Sequence, residues 1–549
     1  MADGDRRLSH WGWGWADRFP DRETREGLAA QLPLMTGFPA GEPAEPVPLS
    51  DVELRRPRLS PPADVADLVT DDGETRIRHT YGRAYPDLLR GFNGDFRTAP
   101  DLVATPADEA DLRRLFAWAG RDRVALVPVG GATSVVGGVD TALEAGYRGV
   151  AALSMRRFDR VLDVDRESLS ARIQAGATGP EIEGQLAGHG LTLRHFPQSF
   201  EFSTLGGWLA TRAGGHFTTV YTHIDDLVQS MRVLTPAGDF DSRRLPASGA
   251  GPSPDRLLLG SEGTLGVITE AWMRIRPRPT HRAKADVFFT DWNAAVAAVR
   301  GISQSGLFPS HCRLLDQREA ALNAVTFDGR HVLLLGFESA GPPVDGRLDA
   351  ALEIASIRGG ECPAGPRNRA PGDGDDESVG EAAETWRQAF LDAPYLQSTL
   401  LSVGVIADTF ETCCPWDRFE ELHRSTIKNV RRAMKEKCGA GFISCRFTHV
   451  YPDGPAPYFT WLAPARRGDE ADQWRTIKAA ASETIHDHGG TITHHHAIGR
   501  IHRPWAERQR PALMTEALRR VKDTFDPDAV LNPGVLLTPG PSTSDDGDA

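Results

Sequence analysis

LLGSEGTLGVITEAWMRIRPRP, running from Leu258 to Pro279, decides how the first half of the chain is read. Small residues at Gly260, Ser261, Gly263 and Gly266 surround one carboxylate, Glu262, and a strand-like run follows. Glycine lets the main chain take left-handed angles and lets a ligand approach backbone N–H groups closely. A turn of this kind ahead of a strand predicts that something flat and phosphate-bearing lies against the backbone.

Two other segments concentrate small residues in the same way: PVGGATSVVGG (Pro128–Gly138) and PQSFEFSTLGGWLATRAGG (Pro197–Gly215). Successive exposed N–H groups form a nest for an anion such as a pyrophosphate. Ser134, Ser203, Thr204 and Thr211 add hydroxyl donors. One glycine-rich turn is most often only a turn. Three in one α+β region fit a single long ligand lying across several strand ends. None has the G-x-x-x-x-G-K-[ST] pattern, and none is a clean G-x-G-x-x-G between strand and helix. Neither a nucleotide triphosphatase nor a Rossmann site is therefore supported.

The rest of the chain fits a multidomain enzyme. Its 549 residues exceed what one core usually serves. The net charge of −13 disfavours nonspecific binding to nucleic acid or anionic lipid. No run approaches the roughly 18 apolar residues of a membrane span, and the N-terminus has no apolar core of a signal peptide. Six cysteines without a C-x-x-C pair predict a reduced, cytoplasmic protein. Pro106 to Gly120 has helical spacing, and Val124 to Val129 reads as a buried strand. RVLDVDRESLSARIQAGAT and DDLVQSMRVLTPAGDFDS read as hairpins. Beyond about residue 280 the pattern becomes strands with long helices, among them WDRFEELHRSTIKNVRRAMKEK. The stretch ECPAGPRNRAPGDGDDESVG reads as a polar surface loop.

Four chemistry-bearing features stand out in this second half. THHHAIG places His494, His495 and His496 in a row. On a strand, His494 and His496 would share one face and His495 the other. They can be metal ligands, acid–base groups, or a polar surface patch. A tight metal site needs further ligands, and none stands at useful spacing, so no metal is predicted. Tyr458 in APYFTW is either a packed strand aromatic or a proton-transfer group. Arg446 in SCRFTHVY and Arg313 in SHCRLLDQ are either salt-bridged arginines or planar forks for a carboxylate or phosphate. Cys445 and His449 lie too far apart on one strand for a nucleophile pair.

The glycine turns, together with IDDLVQSMRVLTPAG, are similar to the FAD-binding domain of the vanillyl-alcohol-oxidase type. HWGWGWADRF, CRLLDQ, DTFETCCPWDRF, SCRFTHVYPDGPAPYFTW and GGTITHHHAIGR resemble the alkyldihydroxyacetonephosphate synthase (alkylglycerone-phosphate synthase) family, flavoenzymes that form the ether bond of ether lipids. The resemblance implies an α+β fold: a two-subdomain FAD-binding domain and an antiparallel-sheet cap domain with helices. The boundaries it suggests are an N-terminal arm over 1–95, the FAD-binding domain over 96–279 and the cap over 280–488. A C-terminal segment, 489–549, would return to the flavin domain and end in a disordered tail.

Carried over by motif, the FAD contacts fall on four turns. The first holds Pro128, Val129, Gly130, Gly131, Ala132, Thr133 and Ser134. The second holds Gln198, Ser199, Phe200, Glu201, Phe202, Ser203 and Thr204. Thr211, Arg212, Ala213 and Gly214 make the third. Glu262, Gly263, Thr264, Leu265, Gly266, Val267 and Ile268 make the fourth. Gln198 stands where the family more often has Asp, and Ala132 interrupts a turn that is often all glycine. No His or Cys lies in the first turn, which implies non-covalent FAD.

The resemblance makes Tyr458 a proton-transfer group, Arg446 the holder of a departing carboxylate, Arg313 an active-site arginine, and the three histidines substrate-orienting groups. It also implies a lipid-like small-molecule substrate, at most peripheral membrane contact, and a homodimer. The reaction it implies is exchange of the acyl group of acyl-dihydroxyacetone phosphate for a fatty alcohol. The alternative is an FAD-dependent D-2-hydroxy-acid dehydrogenase or oxidase, since one fold hosts many chemistries. A non-catalytic flavin-binding protein fits poorly with so many candidate groups.

Overall fold

The structure, a computed structural model, describes residues 6–217, 223–370 and 381–538. Three larger sheets frame it, beside a two-stranded one of Leu191–Thr192 and Arg276–Pro277. The first has four strands in the order Val69–Thr70, Leu102–Ala104, Gly149–Ser154 and Val124–Val129, the last three parallel. The helix Glu109–Asp122 covers this sheet. Asp108 caps it by accepting the Asp111 N–H at 3.0 Å, as a helix start prefers. Its inward stripe of Leu112, Leu115, Phe116 and Trp118 is buried.

The second sheet is antiparallel, in the order Val161–Asp165, Ser170–Gln174, Val267–Arg274, Val228–Thr235, Gly238–Asp241. The Leu258–Pro279 stretch thus supplies the central strand of this sheet. Gly263, just before it, has φ of +72°, and a Cβ there would press on the Pro128 ring at 3.0 Å. Ala132 takes a left-handed φ of +52° without being glycine, a strained choice in a turn that faces a ligand.

The third sheet has seven strands, in the order Arg367–Arg369, His281–Phe289, His331–Ser339, His311–Leu315, Phe442–Val450, Pro455–Pro464, Val405–Glu411. Helices Trp416–Cys438 and Glu470–Asp487 bury Val430, Met434, Trp474 and Ile477 against Ile443, Cys445, Phe459 and Trp461 on one face. Strand periodicity sends Arg313, Arg446, Tyr458 and Thr460 to the opposite face, where they line a cavity. A register shift between Phe447 and His449 breaks the alternation. As bulges do, it re-aims a side chain, and Thr448 and His449 both reach that cavity. Cys445 stays in the core behind the sheet, so the two residues do not share a face.

The structure departs from the sequence reading at two places. Helix Glu381–Ser402 was not read, because Pro394 interrupts its pattern; it runs along the cavity. Arg367–Arg369, inside the stretch read as a loop, pairs with the edge of the cap sheet, and the remainder of that loop from 371 to 380 lies outside the described residues. The predicted disordered tail falls largely there too, beyond residue 538. Before it, Asn532 donates to the carbonyls of Gly138 and Glu262 at 3.0 and 2.7 Å. Leu531 bridges Leu126. The chain end is thereby stitched to the glycine turns.

Candidate active site

A cavity of about 580 Å³ opens between the glycine turns and the cap sheet, and a second of about 100 Å³ adjoins it. They share Gly130, Ser134, Val139, Thr204, Gly207 and Thr211, so together they form one long slot. Main chain lines much of the flavin end. A side chain at Gly207 would find only Thr204 Oγ1 within 4 Å, at 3.5 Å, and would otherwise fill the slot.

Most motif-derived contact residues border it. Gly130, Gly131, Ala132, Thr133, Ser134, Gln198, Ser199, Ser203, Thr204, Thr211, Ala213 and Gly214 line the larger part. Pro128, Val129, Glu262, Gly263, Gly266, Val267 and Ile268 line the smaller. The others are occupied elsewhere. Arg212 pairs with Asp225, the Glu201 carboxylate accepts from Trp15 Nε1 at 2.6 Å, and Leu265 sits in the core. Thr264 gives its hydroxyl to the Ser261 carbonyl, Phe202 packs edge-on against Trp13, and Phe200 packs on Phe196.

At the cap end, charged side chains replace backbone. Arg446 pairs with the fully buried Glu319, which also accepts from Ser444 Oγ at 2.5 Å. The Arg446 guanidinium carbon lies 3.8 Å above the Tyr458 ring. Tyr458 donates to Thr409 Oγ1 at 2.8 Å. Burial raises the Tyr458 pKa, while Arg446 and the Thr409 hydrogen bond pull it down without prevailing. The resting group is a phenol.

Arg313 is buried too, but among the described residues no carboxylate meets it. Its Nη2 donates to the His216 carbonyl at 3.3 Å, its Nε and Nη1 have no partner, and its flanks are Trp386 and Phe390 at 4.4 and 5.1 Å. Burial, aided by Arg446, pushes its pKa well down. A buried cation without a counter-ion is costly, and an anion entering the cavity could offset that cost. Part of the cavity wall is apolar, formed by Leu322, Leu396, Leu400, Ala407 and Leu462.

The triple histidine is bent, not extended. Glu411 holds the bend: its carboxylate accepts the N–H groups of His494, His495 and His496 at 2.5, 3.0 and 2.8 Å, and the Thr493 hydroxyl at 2.6 Å. Burial would raise the Glu411 pKa, but the three histidines carry it well below the ordinary carboxylate value. Glu262 accepts the N–H groups of Ile498 and Gly499 at 2.9 and 2.8 Å. Two buried carboxylates thus grip the THHHAIG loop from either end.

The bend separates the rings differently from a strand. His495 and His496 face Tyr458, with centroids 6.1 and 5.4 Å away. His494 turns to a second group: its Nε2 lies 3.1 Å from His223 Nε2 and 2.9 Å from the Tyr451 hydroxyl. Burial lowers His495 to about 3 and His496 to about 4, so both are neutral at physiological pH. His449, His494 and His495 bring one ring nitrogen each within 4.8 Å of one another, a gathering invisible in their spacing along the chain. His494 already uses both nitrogens, Nδ1 lying 3.1 Å from His495 Nδ1.

Sequence reasoning missed Glu319, Glu411, Thr409 and Arg83. Glu411 sits inside DTFETCC, so its motif was visible but its partner 82–85 residues away was not.

Comparison with known proteins agrees with this geometry. Residues 100–240 match the FAD binding domain family and residues 278–536 match the C-terminal domain of FAD linked oxidases. The chain is therefore a flavoprotein, and FAD is the cofactor its slot holds. It is 32% identical to an alkyldihydroxyacetonephosphate synthase of Dictyostelium discoideum, over 86% of this chain and 79% of that one. Identity to the Trypanosoma brucei brucei enzyme of the same name is 29%, over 87% and 79%. A solved alkyldihydroxyacetonephosphate synthase superposes with a TM-score of 0.79 at 26% identity, covering 96% of this chain and 98% of that one. The glycolate oxidase subunit GlcD of Bacillus subtilis (strain 168) is 26% identical over 80% of this chain and 90% of its own. The protein belongs to the alkyldihydroxyacetonephosphate synthase family.

Proposed function

We propose that the protein exchanges the acyl group of an acyl-dihydroxyacetone phosphate for a fatty alcohol, with FAD bound non-covalently. The observation that carries this reading is Arg313: a buried cation that meets no carboxylate among the described residues, in a cavity it shares with Tyr458 and a set of apolar side chains. Such a site takes an anionic head with a long chain. FAD, held by the glycine turns, would supply an electron-deficient ring system to the exchange, which needs no net oxidation.

The residues divide the work. The motif puts the departing carboxylate on Arg446, but the ion pair with Glu319 shifts that assignment to Arg313. Arg446 instead holds Tyr458 from above. Tyr458 Oη moves the proton of the carbon bearing the acyl oxygen, with Thr409 Oγ1 as its hydrogen-bond partner at rest. His495 and His496, neutral, orient the dihydroxyacetone hydroxyl and carbonyl. The apolar part of the cavity wall takes the leaving and entering chains. The working form is assigned as a cytoplasmic homodimer with at most peripheral membrane contact. No helix among the described residues is long and apolar enough to cross a bilayer.

Anaerobic incubation of the holoenzyme with acyl-dihydroxyacetone phosphate and a labelled fatty alcohol tests the reading. Release of fatty acid and appearance of the ether product without an electron acceptor are expected. Bleaching of the flavin by D-lactate or D-2-hydroxyglutarate, with no exchange, would establish the oxidoreductase alternative.

A further inference from the structure

We infer that Arg83 is the cation that neutralises the diphosphate of the bound FAD. Four non-histidine cations line the slot: Arg83, Arg313, Arg446 and Lys478. Three stand on the cap side. Arg446 has Glu319, and Lys478 donates to Asp408 at 3.2 Å and to the Thr409 carbonyl at 2.6 Å. Arg313 lies among Trp386, Phe390 and His216 on the cap sheet. Arg83 alone stands beside the glycine turns.

Its position there is built, not incidental. The Arg83 N–H donates to the Ser134 carbonyl at 2.5 Å, and Gly82 lies so close to that carbonyl that no Cβ fits. The arginine is thus clamped to the first glycine turn. Among the described residues its side chain donates only to the carbonyl of Gly82, at 2.7 Å, and no carboxylate bonds to it. The neighbouring acid, Asp87, is already taken by Arg90 at 2.6 Å and by the Ala84 N–H at 3.2 Å. Arg78 is held by Glu74. Burial lowers the Arg83 pKa to about 10, so it stays charged at neutral pH.

The glycine turns offer neutral N–H donors, and a diphosphate carries two negative charges into the slot. Burying charge without an opposite charge is expensive. An arginine fork supplies it in a geometry that fits phosphate oxygens. The same chemistry could meet the phosphate of the substrate instead, and the test separates the two sources.

Purified holoenzyme is dialysed at a series of KCl concentrations, and the FAD dissociation constant is read from the fluorescence of released flavin. For the parent protein that constant should rise with salt, as a screened ion pair does. Arg83→Gln should raise it about tenfold to a hundredfold and flatten its salt dependence, while Arg83→Lys should recover most of the affinity. With FAD saturating, the KM for acyl-dihydroxyacetone phosphate in Arg83→Gln should stay within about twofold of the parent. A salt-independent FAD constant in the parent protein would overturn the proposal even if no variant folded. So would Arg83→Gln with parental FAD affinity and a raised KM, which would place the substrate phosphate there.

Discussion

The two ends of the slot recognise their ligands by opposite means. At the flavin end, binding rests on main chain: glycines, short hydroxyl side chains and one clamped arginine. At the cap end it rests on buried side chains that carry or control charge: Arg313, the Arg446–Glu319 pair, Tyr458 and a histidine loop held by Glu411. Main-chain recognition is local, because one turn presents several N–H groups in succession. Charged recognition is assembled from elements far apart in the chain, as Arg446 on its strand and Glu319 on the helix Gln317–Leu322 are 127 residues distant. Arg83 apart, the flavin end should therefore tolerate single side-chain changes, and the cap end should not.

The sharpest test of that contrast is Tyr458→Phe. If the phenol transfers the proton, the substitution removes a general acid–base group and lowers kcat by about 10²–10⁴-fold. The flavin spectrum should not change, since Tyr458 belongs to the other end. Burial sets the pH dependence. The phenol titrates above its ordinary value of about 10, so where its deprotonated form is required, kcat/KM rises with pH through neutrality, with no plateau below about pH 10. A flat profile together with an active Phe variant would take Tyr458 out of the chemistry.

The two arginines then distinguish binding from construction. Arg446→Met strips the partner from buried Glu319 and should cost about 3–5 kcal/mol of stability, read as a lowered denaturant midpoint. Arg313→Met removes a buried cation that has no carboxylate, so the fold should hold or gain stability. Its effect should fall on KM for the anionic substrate, raised by about a hundredfold. Equal destabilisation by both changes would mean that Arg313 has a structural partner after all.

This contrast also explains what was legible in the sequence. The glycine turns are contiguous words, so PVGGATS and GSEGTLG announced both the ligand and its chemistry. The cap residues were visible only as isolated candidates. Nothing near Arg446 tells that Glu319 neutralises it, and nothing near Arg313 tells that no acid does. The strand geometry considered for the histidine row does not hold, because the row is bent. The bend exists because Glu411, from the edge strand of the cap sheet, collects three consecutive N–H groups. His449 reaches the site through a bulge, and bulges leave no clear mark in a strand pattern.

Glu262 joins the two ends and gives the smallest but most discriminating test. It sits in the fourth glycine turn, yet its carboxylate accepts the N–H groups of Ile498 and Gly499, immediately after the histidines. Burial lifts its pKa to about 7 despite those two bonds. An unfolded glutamate titrates near 4.3, so the native state binds the extra proton between these values. The protonated carboxyl therefore adds stability that is full below about pH 4.3 and is lost as pH rises through about 7. Glu262→Gln cannot titrate and lacks this dependence. The melting temperature of the parent protein should fall relative to that of the variant between pH 5 and pH 8. FAD affinity should weaken only a few-fold, about what one hydrogen bond of this kind contributes. Parallel melting curves would show an ionised Glu262 throughout, and the link between the flavin turn and the histidine loop would then be a fixed ion–dipole tether with no titration built into it.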